Sequence, residues 1–132
     1  MNRGRVSLGR TQGRCGIDQS FCRRFLSQPF HLDEEGGRAS LFKGLAASGW
    51  HTAAMTQRLV LDSGLDPAGG VISAGFDELR WPRPVRPGDE LSFEGEVLEV
   101  RRSGTRPGSG VIKVKGTTFN QNREPCSCLL AI

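Results

Sequence analysis

An α+β fold, with one long helix laid against an antiparallel sheet, is what this sequence predicts. Apolar residues recur at helical spacing across the stretch from Leu41 to Leu61. Period-two alternation takes over beyond Pro67, and the alternating runs are parted by short turns rich in Pro, Gly and Asn. One helix followed by four strands with polar outer faces can bury its apolar surface in two layers, as a sheet curved around a single helix.

The elements follow in chain order. In SFCRRF, Phe21 and Phe25 sit four apart with Arg23 and Arg24 between them, one apolar stripe of a short helix or turn. It ends near Pro29, whose ring disfavours helical geometry for Gln28. Asp33 is placed to cap a short turn, which Gly36 and Gly37 weaken as a helix. Within the Leu41–Leu61 stretch, Ala46, Trp50, Ala53 and Ala54 form the helical pattern, and the small alanines let a sheet approach closely. Ser48 and Gly49 form the amino-terminal cap and Gly64 marks the end. Counted from Ser48, that helix spans about sixteen residues, roughly 24 Å.

VISAGFDELRW then reads as a strand, and PRPVRPGDE as a turn-rich connection. LSFEGEVLEV alternates, with Leu91, Phe93, Gly95 and Val97 on one face and Ser92, Glu94 and Glu96 on the other. The alternation slips at Val97–Leu98, the mark of a β-bulge. GTRPGSG is a hairpin loop. In the strand after it, Ile112, Val114 and Gly116 oppose Lys113 and Lys115. CSCLLAI forms a last strand beyond the NQNREP turn.

At 132 residues the chain has room for one domain. We read residues 1–18 as a basic, flexible leader and 19–132 as the domain. The net charge of +4 belongs to the amino-terminal end. Residues 1–24 hold six arginines against Asp18, while residues 25–132 hold twelve basic and thirteen acidic side chains. No basic face interleaved with aromatics appears, so nucleic acid is not an expected partner. The leader lacks the apolar stretch of a secretory signal, and its four glycines in sixteen residues make a poor amphipathic helix. No apolar run is long enough to span a membrane. Cys15, Cys22, Cys126 and Cys128 match no zinc spacing, so no metal is expected, and reduced thiols in the cytoplasm are the default reading.

Two segments resemble a known family. QPFHLDEEGGRASLFKGLAASGWHTAAMTQRL is similar to the hydratase-motif region of MaoC-like dehydratases and (R)-specific enoyl-CoA hydratases. DELRWPRPVRPGDELSFEGEVLEVRRS is similar to their strand–PVRPGD–strand signature, in the same order and at the same separation. The resemblance covers roughly residues 21–130. It implies a hotdog fold, a long central helix wrapped by a curved antiparallel sheet, with two subunits joined through their sheet edges as a homodimer. It also implies addition or removal of water across the 2,3 bond of an acyl-CoA or acyl-carrier thioester, with no cofactor.

The family motif reads Asp-x-Asn-Pro-x-His. By this resemblance His31 corresponds to the catalytic histidine and Gly49 to the glycine whose amide binds the thioester carbonyl. Phe42, Ser48 and Trp50 are expected to contact substrate. Gln28 stands at the Asn position, but the aspartate position is Leu26, and a supporting serine along the helix corresponds to Gln57. The family's opening strand is not recognisable in LGRTQGRCGIDQ.

Hydration of an enoyl thioester needs a base for the water, a proton for C2 and a stabiliser for the enolate-like oxygen. A helix amino terminus supplies the last through unpaired N–H groups and partial positive charge. Gly49 suits that role by letting the backbone approach a ligand, and it also reads as a plain helix cap. A histidine is a general acid and base suited to neutral pH, which makes His31 a catalytic candidate, and a lone histidine beside a proline turn also reads as a packed residue. His51 is assigned to packing or the pocket rim. Leu26 can neither accept a proton nor orient a water; Asp33 reads as a cap and Glu34 as solvated. Two functions therefore stand side by side: a weak hydratase or dehydratase, and a catalytically silent thioester-binding or partner subunit. A hotdog thioesterase ranks last, because Gln57 is no carboxylate.

Overall fold

The computed structural model of the chain describes residues 13–14, 19–64, 69–70 and 72–132. Of the leader, Gly13–Arg14 falls among these and forms β1, a two-residue strand antiparallel to Glu90–Leu91. Two residues are too few to leave a periodic signal, so this strand has no signature in LGRTQGRCGIDQ. Four helices are described: α1 (Gln19–Phe25), α2 (Pro29–Leu32), α3 (Glu34–Arg38) and α4 (Gly49–Asp62). Strands β2 (Phe76–Arg80), β3 (Glu90–Arg102), β4 (Gly110–Phe119) and β5 (Pro125–Ala131) complete an antiparallel sheet ordered β1-β3-β4-β5-β2.

The short helices fold the chain back on itself. In α1 the rings of Phe21 and Phe25 lie 5.3 Å apart. Gln28 is extended (φ −105°, ψ 134°), as the following proline demands, and Pro29 opens α2. Asp33 caps α3, its Oδ1 accepting the Gly36 N–H at 2.6 Å. The two glycines that weaken α3 are required by close approach. A Cβ on Gly37 would lie 2.3 Å from the carbonyl carbon of Gly44, and one on Gly36 2.6 Å from the Pro29 oxygen.

Helix α4 has 14 residues, about 21 Å, and begins where the cap residues place it. Residues 41–47, included in the helical stretch on sequence spacing, are not helical. Leu45–Ser48 runs on as a buried connection, because the Ala46 N–H donates to Phe30 O (3.2 Å) and the Ala47 N–H to Val85 O (2.9 Å). The alanines there are small because backbone crosses on both sides. The strand expected over VISAGFDELRW is shorter too: β2 begins at Phe76, although Ala74 and Gly75 still exchange backbone hydrogen bonds with Ile132.

The bulge is where the alternation slips. Val97 pairs with Val114 and Glu99 with Lys113, leaving Leu98 without a cross-strand partner. Between helix and sheet the core holds Ala47, Leu59, Val85, Leu91, Phe93 and Cys126. The Phe93 ring lies over Gly116, where a Cβ would come within 2.6 Å of it. Thr56 and Thr118 share a buried hydroxyl hydrogen bond of 2.7 Å between α4 and β4. Burial pushes the Cys126 thiol above its ordinary pKa, and the nearby Asp89 charge adds to the effect.

Thirteen residues of β3 span about 43 Å at roughly 3.3 Å each, twice the length of α4. The far half of the sheet therefore extends past the helix, and there Val100 (70% exposed), Phe76 (49%) and Ile112 (41%) meet solvent. Among the described residues, no helix is long and apolar enough to cross a membrane.

Truncating Phe93 to alanine removes the largest fully buried side chain. Stability should fall by about 3–5 kcal/mol, read from urea unfolding followed by far-UV circular dichroism. A loss under about 1 kcal/mol would contradict the core described.

Candidate active site

Four segments meet at one cleft of about 430 Å³: α2, the connection between α3 and α4, the amino end of α4, and the loop between β2 and β3. His31, Phe42, Gly49 and Thr52 line it from one side, and Trp81, Pro82, Arg83, Pro84 and Arg86 from the other. Of the residues singled out from the sequence, His31, Phe42 and Gly49 are thus brought together.

His31 is buried, and its Nδ1 lies 2.7 Å from the Ala46 carbonyl oxygen. A carbonyl can only accept, so Nδ1 carries the proton and Nε2 of the neutral ring keeps its lone pair. Phe30 meets the imidazole edge-on at 4.6 Å and Phe42 lies 5.8 Å away, which holds the ring plane.

The amino end of α4 is organised by Ser48. Its Oγ accepts the His51 N–H at 3.0 Å, and its carbonyl accepts from Thr52 N and Thr52 Oγ1. The N–H groups of Gly49 and Trp50, the first two of the helix, have no acceptor among the described residues. They carry the positive end of the helix dipole. Gly49 has no room for a side chain, since a Cβ would come within 2.6–2.7 Å of the Trp81 indole.

Ser48 and Trp50, expected to touch substrate, do not line the cleft. Ser48 is buried and holds the cap. Trp50 is 60% exposed and stands outside, edge-on to Trp81 at 5.7 Å. His51 is a packing residue, its ring 5.3 Å from Phe21 and its Nδ1 4.0 Å from Cys22 Sγ. Gln57 is exposed.

No carboxylate lines the cleft among the described residues. Leu26 is half-buried between α1 and α2, its N–H donating to the Cys22 carbonyl at 2.8 Å. Asp33 is committed to its cap. Glu34 is exposed as expected, but its Oε2 also accepts the Leu45 N–H at 3.3 Å. No group of three or more His, Cys, Asp or Glu side chains among the described residues could hold a metal ion.

Sequence reasoning missed Thr52, Trp81 and Arg86. Trp81 ends the run that reads as a strand, and Arg86 lies in the turn-rich connection after it. Only contacts with residues more than thirty positions away give them a place on the cleft.

One helix laid on an antiparallel sheet, opening at its amino end onto this cleft, defines the chain as a hotdog-fold protein. It belongs to the MaoC-like dehydratase family, whose MaoC like domain matches residues 26–119. The crystal structure of the MaoC-like dehydratase from Rhodospirillum rubrum is 45% identical with a TM-score of 0.82, covering 93% of this chain and 87% of that one. The (R)-hydratase of A. caviae involved in PHA biosynthesis is 25% identical with a TM-score of 0.72, covering 93% and 89%. The uncharacterised Bacillus subtilis protein YdeM is 31% identical over 101 residues, 76% of this chain and 70% of its own length.

Replacing Gly49 by alanine should push the Trp81 indole off the helix end. The expected result is a shifted tryptophan emission spectrum and a stability loss of about 1–3 kcal/mol, measured by fluorescence-monitored unfolding. An unchanged spectrum and melting curve would mean that Trp81 does not rest there.

Proposed function

We propose that this chain is a hydratase/dehydratase of acyl thioesters, with acyl-CoA or an acyl-carrier thioester as substrate. The observation that carries the reading is the meeting on one cleft of His31, its Nδ1 held 2.7 Å from the Ala46 carbonyl, and the Gly49 amide, which has no acceptor among the described residues. In the hydration direction His31 Nε2 takes a proton from water as its oxygen bonds to C3. The C2–C3 π pair becomes the C1–C2 double bond of an enolate as the carbonyl π pair moves onto the thioester oxygen, which the Gly49 N–H stabilises. The imidazolium then returns its proton to C2 as the thioester carbonyl reforms. Water is added, and no further cofactor is called for. Losing an oxyanion donor of this kind typically costs about 3–4 kcal/mol of transition-state stabilisation.

Leu26 makes the reaction slow. Where the family motif has an aspartate to share the water with the histidine, this chain leaves one residue to do both proton transfers. That no carboxylate among the described residues lines the cleft favours a second reading, a catalytically silent thioester-binding or partner subunit.

The reading includes a homodimer. The apolar half of the sheet beyond α4 and the strand edges at both sides of the sheet suit a second copy. Cytoplasmic location is part of it as well, supported by the free thiols of Cys126 and Cys128.

Loss of enoyl absorbance with crotonyl-CoA separates the two readings. The wild-type protein should show a slow rate that His31→Ala abolishes and Leu26→Asp raises, by up to ~10²–10⁴-fold if the new carboxylate reaches the water. No rate from the wild type or from Leu26→Asp would leave the silent subunit. A monomer mass in size-exclusion chromatography with light scattering would count against the dimer.

A further inference from the structure

The loop between β2 and β3 places on the cleft a charged group that the proposed chemistry does not use. Arg86 lines the cavity, yet its guanidinium is turned onto backbone. Nη1 donates to the Leu45 carbonyl at 3.2 Å and Nη2 to the Phe42 carbonyl. The arginine is also fixed at its root. Its N–H donates to Asp89 Oδ2 at 2.8 Å, and the Asp89 N–H returns to the Arg86 carbonyl at 3.1 Å. Asp89 is buried, and its Oδ1 accepts the Gln121 side-chain amide at 3.0 Å.

The segment that Arg86 grips leads directly to the catalytic candidate. Phe42–Ala46 belongs to no helix or strand, and Lys43 within it is held in the left-handed region at φ 58°, a conformation that persists only where the surroundings impose it. Its last residue, Ala46, supplies the carbonyl that receives the His31 Nδ1 proton. Glu34 on the Leu45 N–H and Phe30 O on the Ala46 N–H hold the same segment from the other side.

We infer that Arg86 is a positioning residue: by clamping the Phe42 and Leu45 carbonyls it aims the Ala46 carbonyl, and so sets the tautomer and orientation of His31. The planar guanidinium fork suits two carbonyls three residues apart. An ammonium offers one compact charge and cannot span them in the same way. The effect on the imidazole follows from these contacts alone; the effect on turnover rests on the hydratase reading.

The test is a two-bond ¹H–¹⁵N spectrum of the imidazoles in uniformly labelled protein, with His51→Asn used to assign the His31 signals. Wild type should show the Nδ1–H tautomer alone. Arg86→Lys and Arg86→Ala should show the Nε2–H form entering, and guanidinium ion added to Arg86→Ala should restore the original pattern. Where Arg86→Ala does not fold, Arg86→Lys and Arg86→Gln carry the comparison. With crotonyl-CoA, kcat of Arg86→Lys should fall by up to about 10²-fold with little change in KM, as expected for a misaimed catalytic group. A folded Arg86 variant with an unaltered His31 tautomer overturns the inference and makes Arg86 a strut only. A wild-type protein inactive on crotonyl-CoA defeats the hydratase reading but leaves the tautomer comparison standing.

Discussion

The short buried run Leu45–Ser48 is the constraint on which the rest of the molecule depends. It is under 9% exposed throughout, and a buried backbone needs partners for its N–H and C=O groups. Those partners come from every element around the cleft: Phe30 from α2, Val85 and Arg86 from the β2–β3 loop, and His31 through its ring. Satisfying one run of backbone thus fixes the histidine, the loop and the start of α4 relative to each other. The four residues lead straight into the Ser48 cap, so the amide of Gly49 is aimed by the same hydrogen bonds that hold the imidazole.

This economy explains why the site combines strong positioning with incomplete acid–base chemistry. The neutral imidazole is oriented by a carbonyl rather than by a carboxylate, which sets the tautomer without stabilising the imidazolium as a charge would. The helix end offers donors and positive potential to an oxygen. Among the described residues, no carboxylate lines the cleft as a second proton carrier. Leu26 is half-buried between α1 and α2, while Asp33 and Glu34, just past His31 in sequence, are drawn into backbone hydrogen bonds. Trp81 adds a further restriction, since its indole occupies the space that any side chain at position 49 would need.

Away from the cleft, the governing fact is a mismatch of length. A helix advances about 1.5 Å per residue and a strand about 3.3 Å, so a 14-residue α4 cannot cover a 13-residue β3. The bulge at Leu98 falls past the middle of β3, and beyond it the apolar Val100 is left 70% exposed by the described chain.

The sequence by itself determined those features that neighbours along the chain decide. The Ser48 cap, the Asp33 cap, the break before Pro29, the alternation of β3 and its slip at Leu98 all depend on residues within a few positions, and all were legible. So was the family, through His31, Gly49 and the PVRPGD segment. Tertiary structure alone decided the rest. The alanines before Ser48 lie in a stretch of helical spacing but are not helical, because the Phe30 and Val85 carbonyls take their amides. Ser48 and Trp50 stand next to Gly49 in sequence, yet one is turned into the cap and the other to solvent. Arg86 and Trp81 reach the cleft across more than thirty residues of chain. Hydrogen bonds and close contacts of that range leave no periodicity to read, since they depend on where the backbone returns and not on the spacing of side chains along it.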